Sequence, residues 1–223
     1  MFVSGDEWQH RDMAKANGGV WVECPNELGQ KFNATTEAAW KWGADYAVIL
    51  GSDDVVSPKL GDIYLERFEK GFTYMGLRGC HMAEPVSRRA LYLSGHASKL
   101  RIGETVGAGR TVSRKVLDVV EGRPWPDKLS RGADFRMTMR LQGKGIAGVD
   151  SVIETGDIGD DAFLVDVKGG GNMWQFDRVA KHTHVASEAH YEKILSALPS
   201  EEQAIVRELE QAACPTCGHL RPW

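Results

Sequence analysis

The stretch Gly43-Ala44-Asp45-Tyr46-Ala47-Val48-Ile49-Leu50-Gly51-Ser52-Asp53-Asp54 decides the fold. Tyr46 to Leu50 form a short apolar run that stops abruptly at polar residues, which suits a buried central strand leaving a sheet into a loop. Upstream, Ala34, Ala38, Ala39 and Trp42 recur at helical spacing, and Gly43 stands where a glycine closes a helix. Downstream, Ser57-Pro58 puts a capping residue before a proline at the first helical position, and Leu60, Ile63, Tyr64 and Phe68 give an apolar face that runs to Gly71. Helix, strand, helix is the rhythm of an α/β sheet with helices on its faces.

The same reading extends along the chain. Thr73 to Leu77 and Arg89 to Leu93 are expected to be strands joined as a hairpin through the polar segment around Glu84-Pro85. Ser113 caps a helix carrying Val116, Leu117 and Val120, which Gly122 and Pro124-Trp125-Pro126 end. A helix is expected from about Gly132 to Gln142, stopped by Gly143, then a strand from Phe163 to Val167 and a loop at Gly169-Gly170-Gly171. Tyr191, Ile194, Leu195 and Leu198 make one helical stripe, and Ser200 with Gln203 reads as a capping box for a last helix. No repeat or low-complexity linker interrupts this order. The expected organisation is one domain over residues 1–185 and a helical tail over 186–223.

With 223 residues, 42% apolar and 26% charged, the chain belongs among globular proteins that can bury a sizeable core. No window approaches the ~18 consecutive apolar residues of a membrane span, and Met1 to Val22 lacks the pattern of a signal peptide, so a cytoplasmic location is expected. Four cysteines are too few for a disulfide scaffold. The net charge of −4 is unevenly spread. Residues 1–100 hold 11 basic and 13 acidic side chains, residues 101–145 hold 10 and 5, and residues 146–223 hold 6 and 13. The middle is therefore a basic island, comprising among others Arg110, Arg114, Arg123, Lys128 and Arg131 around Trp125. It reads either as a solvated helix face or as a surface for a phosphate-bearing ligand. The pI near 6.0 argues against a strong general DNA binder.

Adjacent carboxylates at the carboxyl end of a buried strand are costly unless something positive binds there, and strand ends of that kind are where open α/β sheets bind ligands. Asp53 and Asp54 are thus candidate ligands for Mn²⁺ or Mg²⁺, a cation that commonly joins one or two carboxylates to phosphate oxygens. Cys214-Pro215-Thr216-Cys217 has the spacing of half a zinc site, which Cys24, Cys80 or His219 would have to complete.

Several ordered pieces give the chain a resemblance to nucleotide-sugar-dependent glycosyltransferases of the GT-A fold, in particular the small members encoded by bacteriophages. They are Phe2-Val3-Ser4-Gly5-Asp6; Gly29-Gln30-Lys31-Phe32-Asn33; Gly51-Ser52-Asp53-Asp54; Gly107-Ala108-Gly109-Arg110 with Ser113-Arg114; Gly132-Ala133-Asp134-Phe135-Arg136; and Val165-Asp166-Val167-Lys168 with Gly171-Asn172. The resemblance implies a GT-A-like, Rossmann-like mixed sheet flanked by helices. It implies nucleotide-sugar binding by Asp6, Lys31, Asn33, Asp53 and Lys168, and metal binding by Asp53 and Asp54 with His182 or His184. It also implies Asp134 as the base that deprotonates an acceptor hydroxyl, and acceptor binding around Arg110 and Arg114. Trp125 with the basic island would suit a DNA acceptor carrying a hydroxymethylated base, phosphates on the cations and the flipped base on the ring. For a phage-encoded chain the location would be the host cytoplasm.

This chain departs from the family pattern in three places. Gly51 replaces the first acid of Asp-x-Asp, Ala133 replaces the acid before Asp134, and the strand and helix that precede the first matched strand in the family are missing. Two other readings stand beside the glycosyltransferase: an inactive homologue that binds a nucleotide sugar or nucleic acid, and a nucleotidyltransferase.

Overall fold

Short strands and helices are interspersed in the computed structural model, which describes residues 1–6, 8–96, 101, 104–129, 131–155, 162–168, 176–181 and 187–211. In chain order the described residues form β1 (Phe2–Gly5), α1 (Trp8–Ala16), β2 (Val20–Glu23), α2 (Leu28–Trp42), β3 (Tyr46–Ile49), β4 (Asp54–Val56), α3 (Pro58–Glu69), β5 (Tyr74–Leu77), β6 (Cys80–Glu84) and β7 (Arg89–Leu93). They continue with β8 (Arg110–Ser113), α4 (Arg114–Val119), α5 (Ala133–Gly143), β9 (Ser151–Ile153), β10 (Leu164–Val167), α6 (Phe176–Ala180), α7 (Glu188–Ala197) and α8 (Ser200–Gln211). The expected mixed α/β class is what the structure has. None of the helices is long and apolar enough to cross a membrane.

The chain divides into two compact units, one of Met1–Ile49, Phe68–Gly76 and Arg110–Ser151, the other of Leu50–Arg67, Leu77–Gly109 and Val152–Trp223. In unit 1, β1 and β2 run parallel, Phe2 facing Val20 and Gly5 facing Glu23. β8 pairs antiparallel with β3 on one side and with β5 on the other. Helix α2 ends as its sequence dictates: Gly43 takes the left-handed φ of 96°, a conformation glycine adopts without a steric penalty, and its N–H caps the last carbonyls of the helix. Ala47, Ile49, Tyr74, Val112, Leu117, Trp125, Met137 and Leu141 belong to one buried cluster, each large side chain contributing about 2 kcal/mol of burial. Polar ties fix α2 to α4 and to the turn after it: the Thr36 hydroxyl donates to the Gly122 carbonyl at 2.7 Å, and Trp40 Nε1 donates to Asp118 at 2.7 Å.

Unit 2 contains the sheet β4-β10-β6-β7. β10 is antiparallel to β4 and parallel to β6, and β6 and β7 form a hairpin with Cys80 opposite Leu93 and Glu84 opposite Arg89. Tyr191, Ile194 and Leu195 of α7, with Leu198 after it, share a core with Ala83, Ala90, Val165 and Val167. Helix α3 begins as expected, since the Ser57 hydroxyl accepts the Leu60 N–H and also the Phe163 N–H.

Four expectations need correction. Ser113 precedes α4, yet its hydroxyl makes no capping hydrogen bond to the helix. β3 is not central: it pairs with β8 only, among the described residues, and Val48 is 41% exposed while Ala47 and Ile49 turn inward. The hairpin is not β5 with β7; an unforeseen strand, β6, lies between them and pairs with β7, because Cys80-His81-Met82-Ala83 is fully buried despite its mixed polarity. Ser200 and Gln203 make no capping box, for the Gln203 amide donates back to the Leu198 carbonyl at 2.7 Å.

Candidate metal centre

Asp53, Asp54 and Asp166 each offer a carboxylate oxygen within 4.8 Å of the others. Their positions follow from the backbone of unit 2. The chain leaves β3, turns at Gly51, and enters β4 at Asp54, which lies directly across the antiparallel ladder from Asp166 on β10. The turn is pinned from both sides: Asp54 N–H donates to the Gly51 carbonyl at 3.3 Å, and the Gly51 N–H donates to Asp54 Oδ2 at 2.5 Å. The far end of β10 is held by Val167 N–H on the Asp53 carbonyl at 2.8 Å and by Lys168 N–H on the Ala83 carbonyl at 2.7 Å. Backbone thus fixes all three acids and the lysine beside them.

Gly51 has a positional reason to be glycine here. A Cβ at that residue would come within 2.6 Å of Asp53 Oδ1 and 3.1 Å of Asp54 Oδ2, so any side chain at that position would crowd the cluster. Asp166 adds a third carboxylate from across the sheet.

Among the described residues, the charges at the cluster are the three carboxylates and the ammonium of Lys168. Lys168, whose side chain is 7% exposed, contacts Asp166 Oδ2 directly and lies 3.9 Å from Asp53 Oδ2. Burial is the main cause that pushes Asp54 up to about 6, with the charge of Asp53 adding to it and the Gly51 N–H and Lys168 opposing it. Burial also pushes Asp166 up to about 7, against the pull of Lys168 and with the other two carboxylates adding to the rise. The Cys80 thiol, buried nearby on β6, is pushed up by the same desolvation and by Asp166 and Asp54, so it stays a neutral thiol. Asp166 Oδ1 is buried and has no hydrogen-bond partner among the described residues. An all-oxygen set with excess negative charge and one unpaired oxygen fits a hard divalent cation such as Mg²⁺ or Mn²⁺.

The structure brings together Asp53, Asp54 and Lys168 of the expected residues, and adds Asp166. Sequence reasoning missed Asp166 as a ligand; its one signal was a lone acid inside the apolar run Leu164-Val165-Asp166-Val167. In unit 1, Asp6 and Lys31 both act electrostatically on the Cys24 thiol at the carboxyl end of the parallel pair β1–β2, where Cys24 N–H donates to the Gly5 carbonyl at 2.9 Å. Asp134 is partly exposed in the first turn of α5.

Asn33, Arg110 and Trp125 are internal, contrary to the expectation of ligand-facing roles. Asn33 is fully buried and clamps the loop after α4, donating to the Trp125 carbonyl and to Asp127, both at 2.9 Å, and accepting the Trp125 N–H at 3.0 Å. Arg110 is 1% exposed, and its Nη1 donates to the Tyr74 hydroxyl at 3.0 Å, the Asp134 carbonyl at 2.6 Å and the Thr138 hydroxyl at 2.9 Å. Trp125 is 3% exposed, stacks on Phe32 with centroids 4.8 Å apart, and donates its Nε1–H to the Ala133 carbonyl. Arg114 donates to the Trp40 carbonyl, and Arg123 pairs with Glu37 and Asp127, both at 2.6 Å. Arg110, Arg114 and Arg123 of the basic island are therefore engaged within unit 1, while Lys128 and Arg131 are exposed. His182, His184, Cys214 and Cys217 lie outside the described residues.

No family model matches the chain, and no curated protein matches it in sequence. Among solved structures, the chain is similar to CMP:2-keto-3-deoxy-manno-octonic acid synthetase complexed with CTP, with a TM-score of 0.44 and 16% identity over 81% of this chain and 78% of that one. It is also similar to HddC from Yersinia pseudotuberculosis, with a TM-score of 0.38 and 16% identity over 74% of this chain and 70% of that one.

Proposed function

We propose that the protein is a divalent-metal-dependent transferase that holds a nucleoside diphosphate sugar by its diphosphate and moves the sugar to a hydroxyl acceptor. The observation that carries the reading is the cluster of Asp53, Asp54 and Asp166 around buried Lys168, with Asp166 Oδ1 left unpaired among the described residues. A cation held by these three carboxylates supplies Lewis-acid neutralisation of the charge that grows on a departing diphosphate. Lys168 adds a positive charge in a largely water-excluded position, where such charges act most strongly. Asp6 and Lys31, at the carboxyl end of the parallel strands of unit 1, are the proposed contacts to the nucleoside. Asp134, in the first turn of α5, is the proposed base that takes the acceptor proton. The acceptor is proposed as a hydroxyl compound of unstated class, because Arg110, Arg123 and Trp125, the residues that suggested DNA, are engaged within unit 1.

The test is release of nucleoside diphosphate from a panel of nucleotide sugars with Mn²⁺ or Mg²⁺. One donor is expected to turn over, chelator is expected to abolish the reaction, and Asp166→Asn is expected to slow it about 100-fold. Pyrophosphate formed from a sugar phosphate and a nucleoside triphosphate would replace this reading with nucleotidyl transfer. Metal-dependent binding without turnover would reduce the protein to a binding module.

A further inference from the structure

The ammonium of Lys168 stands among the carboxylates that would hold the cation. It contacts Asp166 Oδ2 and reaches across to Asp53 Oδ2 at 3.9 Å, so it bridges two of the three acids. Its backbone is fixed by the hydrogen bond to Ala83, and Lys168 is 6% exposed, so the charge is placed there by the fold. A Mg²⁺ or Mn²⁺ ion lies about 2.1 Å from each ligand oxygen, so one sharing these oxygens would stand within about 5 Å of the ammonium. Two cations that close repel, and a buried site screens the repulsion poorly. The lysine side chain is flexible while the acids are held by the strand ends and the Gly51 turn, so the ammonium is the group that yields.

We propose that Lys168 is an internal stand-in for the metal. In the metal-free protein it neutralises the acids, and on metal loading it swings off Asp166 toward the diphosphate oxygens of the donor. The proposal rests on the metal-site reading above and deepens it. It makes metal and nucleotide binding mutually dependent: the metal frees the ammonium, and the diphosphate gives the freed ammonium a new partner. By linkage each ligand must tighten the other by the same factor.

The test is Mn²⁺ binding to the full chain, followed by calorimetry or by the spin signal of free Mn²⁺, alone and with a panel of nucleoside diphosphates. Lys168→Met is expected to tighten Mn²⁺ binding in the nucleotide-free protein about tenfold, within the usual range of coupling between sites, and to lose most of the affinity that wild type gains when a nucleoside diphosphate is added. Unchanged or weaker Mn²⁺ binding in Lys168→Met overturns the proposal and makes Lys168 a brace for Asp166. A measurement on wild type covers the case in which the variant does not fold: the Lys168 Nζ nitrogen resonance should move when diamagnetic Mg²⁺ is titrated in, and a stationary resonance sinks the idea. Wild type that binds no divalent cation defeats the metal-site reading together with this one. Wild type that binds while the variant fails to tighten defeats this one alone.

Discussion

Arg110 in unit 1 and Asp166 in unit 2 are both charged side chains enclosed at strands, and their surroundings differ in kind. Around Arg110 the polar groups close on one another: one nitrogen reaches the Tyr74 hydroxyl, the Asp134 carbonyl and the Thr138 hydroxyl, and in the same unit Asn33 of α2 makes a similar internal clamp on Trp125. Around Asp166 the described residues leave one buried carboxylate oxygen, Asp166 Oδ1, without a hydrogen bond, beside two further acids and the Lys168 ammonium. A closed network stabilises the fold because every desolvated group has regained a hydrogen bond. An open one holds carboxyl groups above their ordinary pKa, a cost that a bound cation removes. The comparison separates residues that make the scaffold from residues held ready for a ligand.

The largest expected effect falls on the closed side. Arg110→Met leaves three acceptors in the interior of unit 1 without their donor and should lower the unfolding free energy by about 3 kcal/mol, as read from denaturant titration. Wild-type stability in that variant would break the comparison. A smaller effect is expected at the open side from Gly51→Ala, whose new Cβ would press on Asp53 Oδ1 and Asp54 Oδ2. Mn²⁺ affinity should fall about tenfold in a direct titration, with little change in metal-free melting temperature; equal metal binding would mean the turn relaxes without moving the acids.

The smallest effect is a pH dependence. Asp54 and Asp166 have folded-state values of about 6 and about 7, above the ordinary 3.8, so the folded protein binds more protons than the unfolded one between roughly pH 4 and 7. Their contribution therefore favours folding at pH 5 and is lost as pH rises through 7. Metal-free stability should fall from pH 5 to pH 8 in denaturant titrations, the two carboxyl groups titrating as a pair coupled through Lys168. Asp166→Asn should flatten that slope. Metal affinity should run the other way and strengthen as pH rises, because the cation competes with the same protons. A metal affinity constant across pH 5 to 8 would remove these two carboxyl groups from the site.

Much of the scaffold was legible because it is written in local chemistry. The alanine and tryptophan spacing before Gly43, the Ser57-Pro58 start of α3 and the apolar run of β10 each specify an element within a few residues, and each forms where expected. β4 and β6 were not legible. Asp54-Val55-Val56 is too short and too polar at its start to stand out, and Cys80 to Glu84 has neither strict alternation nor a uniform apolar face. β4 pairs with β10, far along the chain, and β6 pairs with β10 on one side and with its hairpin partner β7 on the other. Side-chain roles divided in the same way. Asp53 and Asp54 could be read as a pair from adjacency, whereas an arginine and a tryptophan in a basic stretch look alike in sequence whether they face solvent or the core.

The sequence by itself determined the α/β alternation, the helix ends and the acidic turn after β3, since these depend on contacts within a turn or two of chain. Only the tertiary structure decided that Asp166 stands opposite Asp54, that Lys168 lies among the acids and that Arg110, Asn33 and Trp125 are internal. Strand register and burial are set by partners far along the chain, and a carboxylate becomes a strained, ligand-ready group only when the fold removes its water and brings like charges to it.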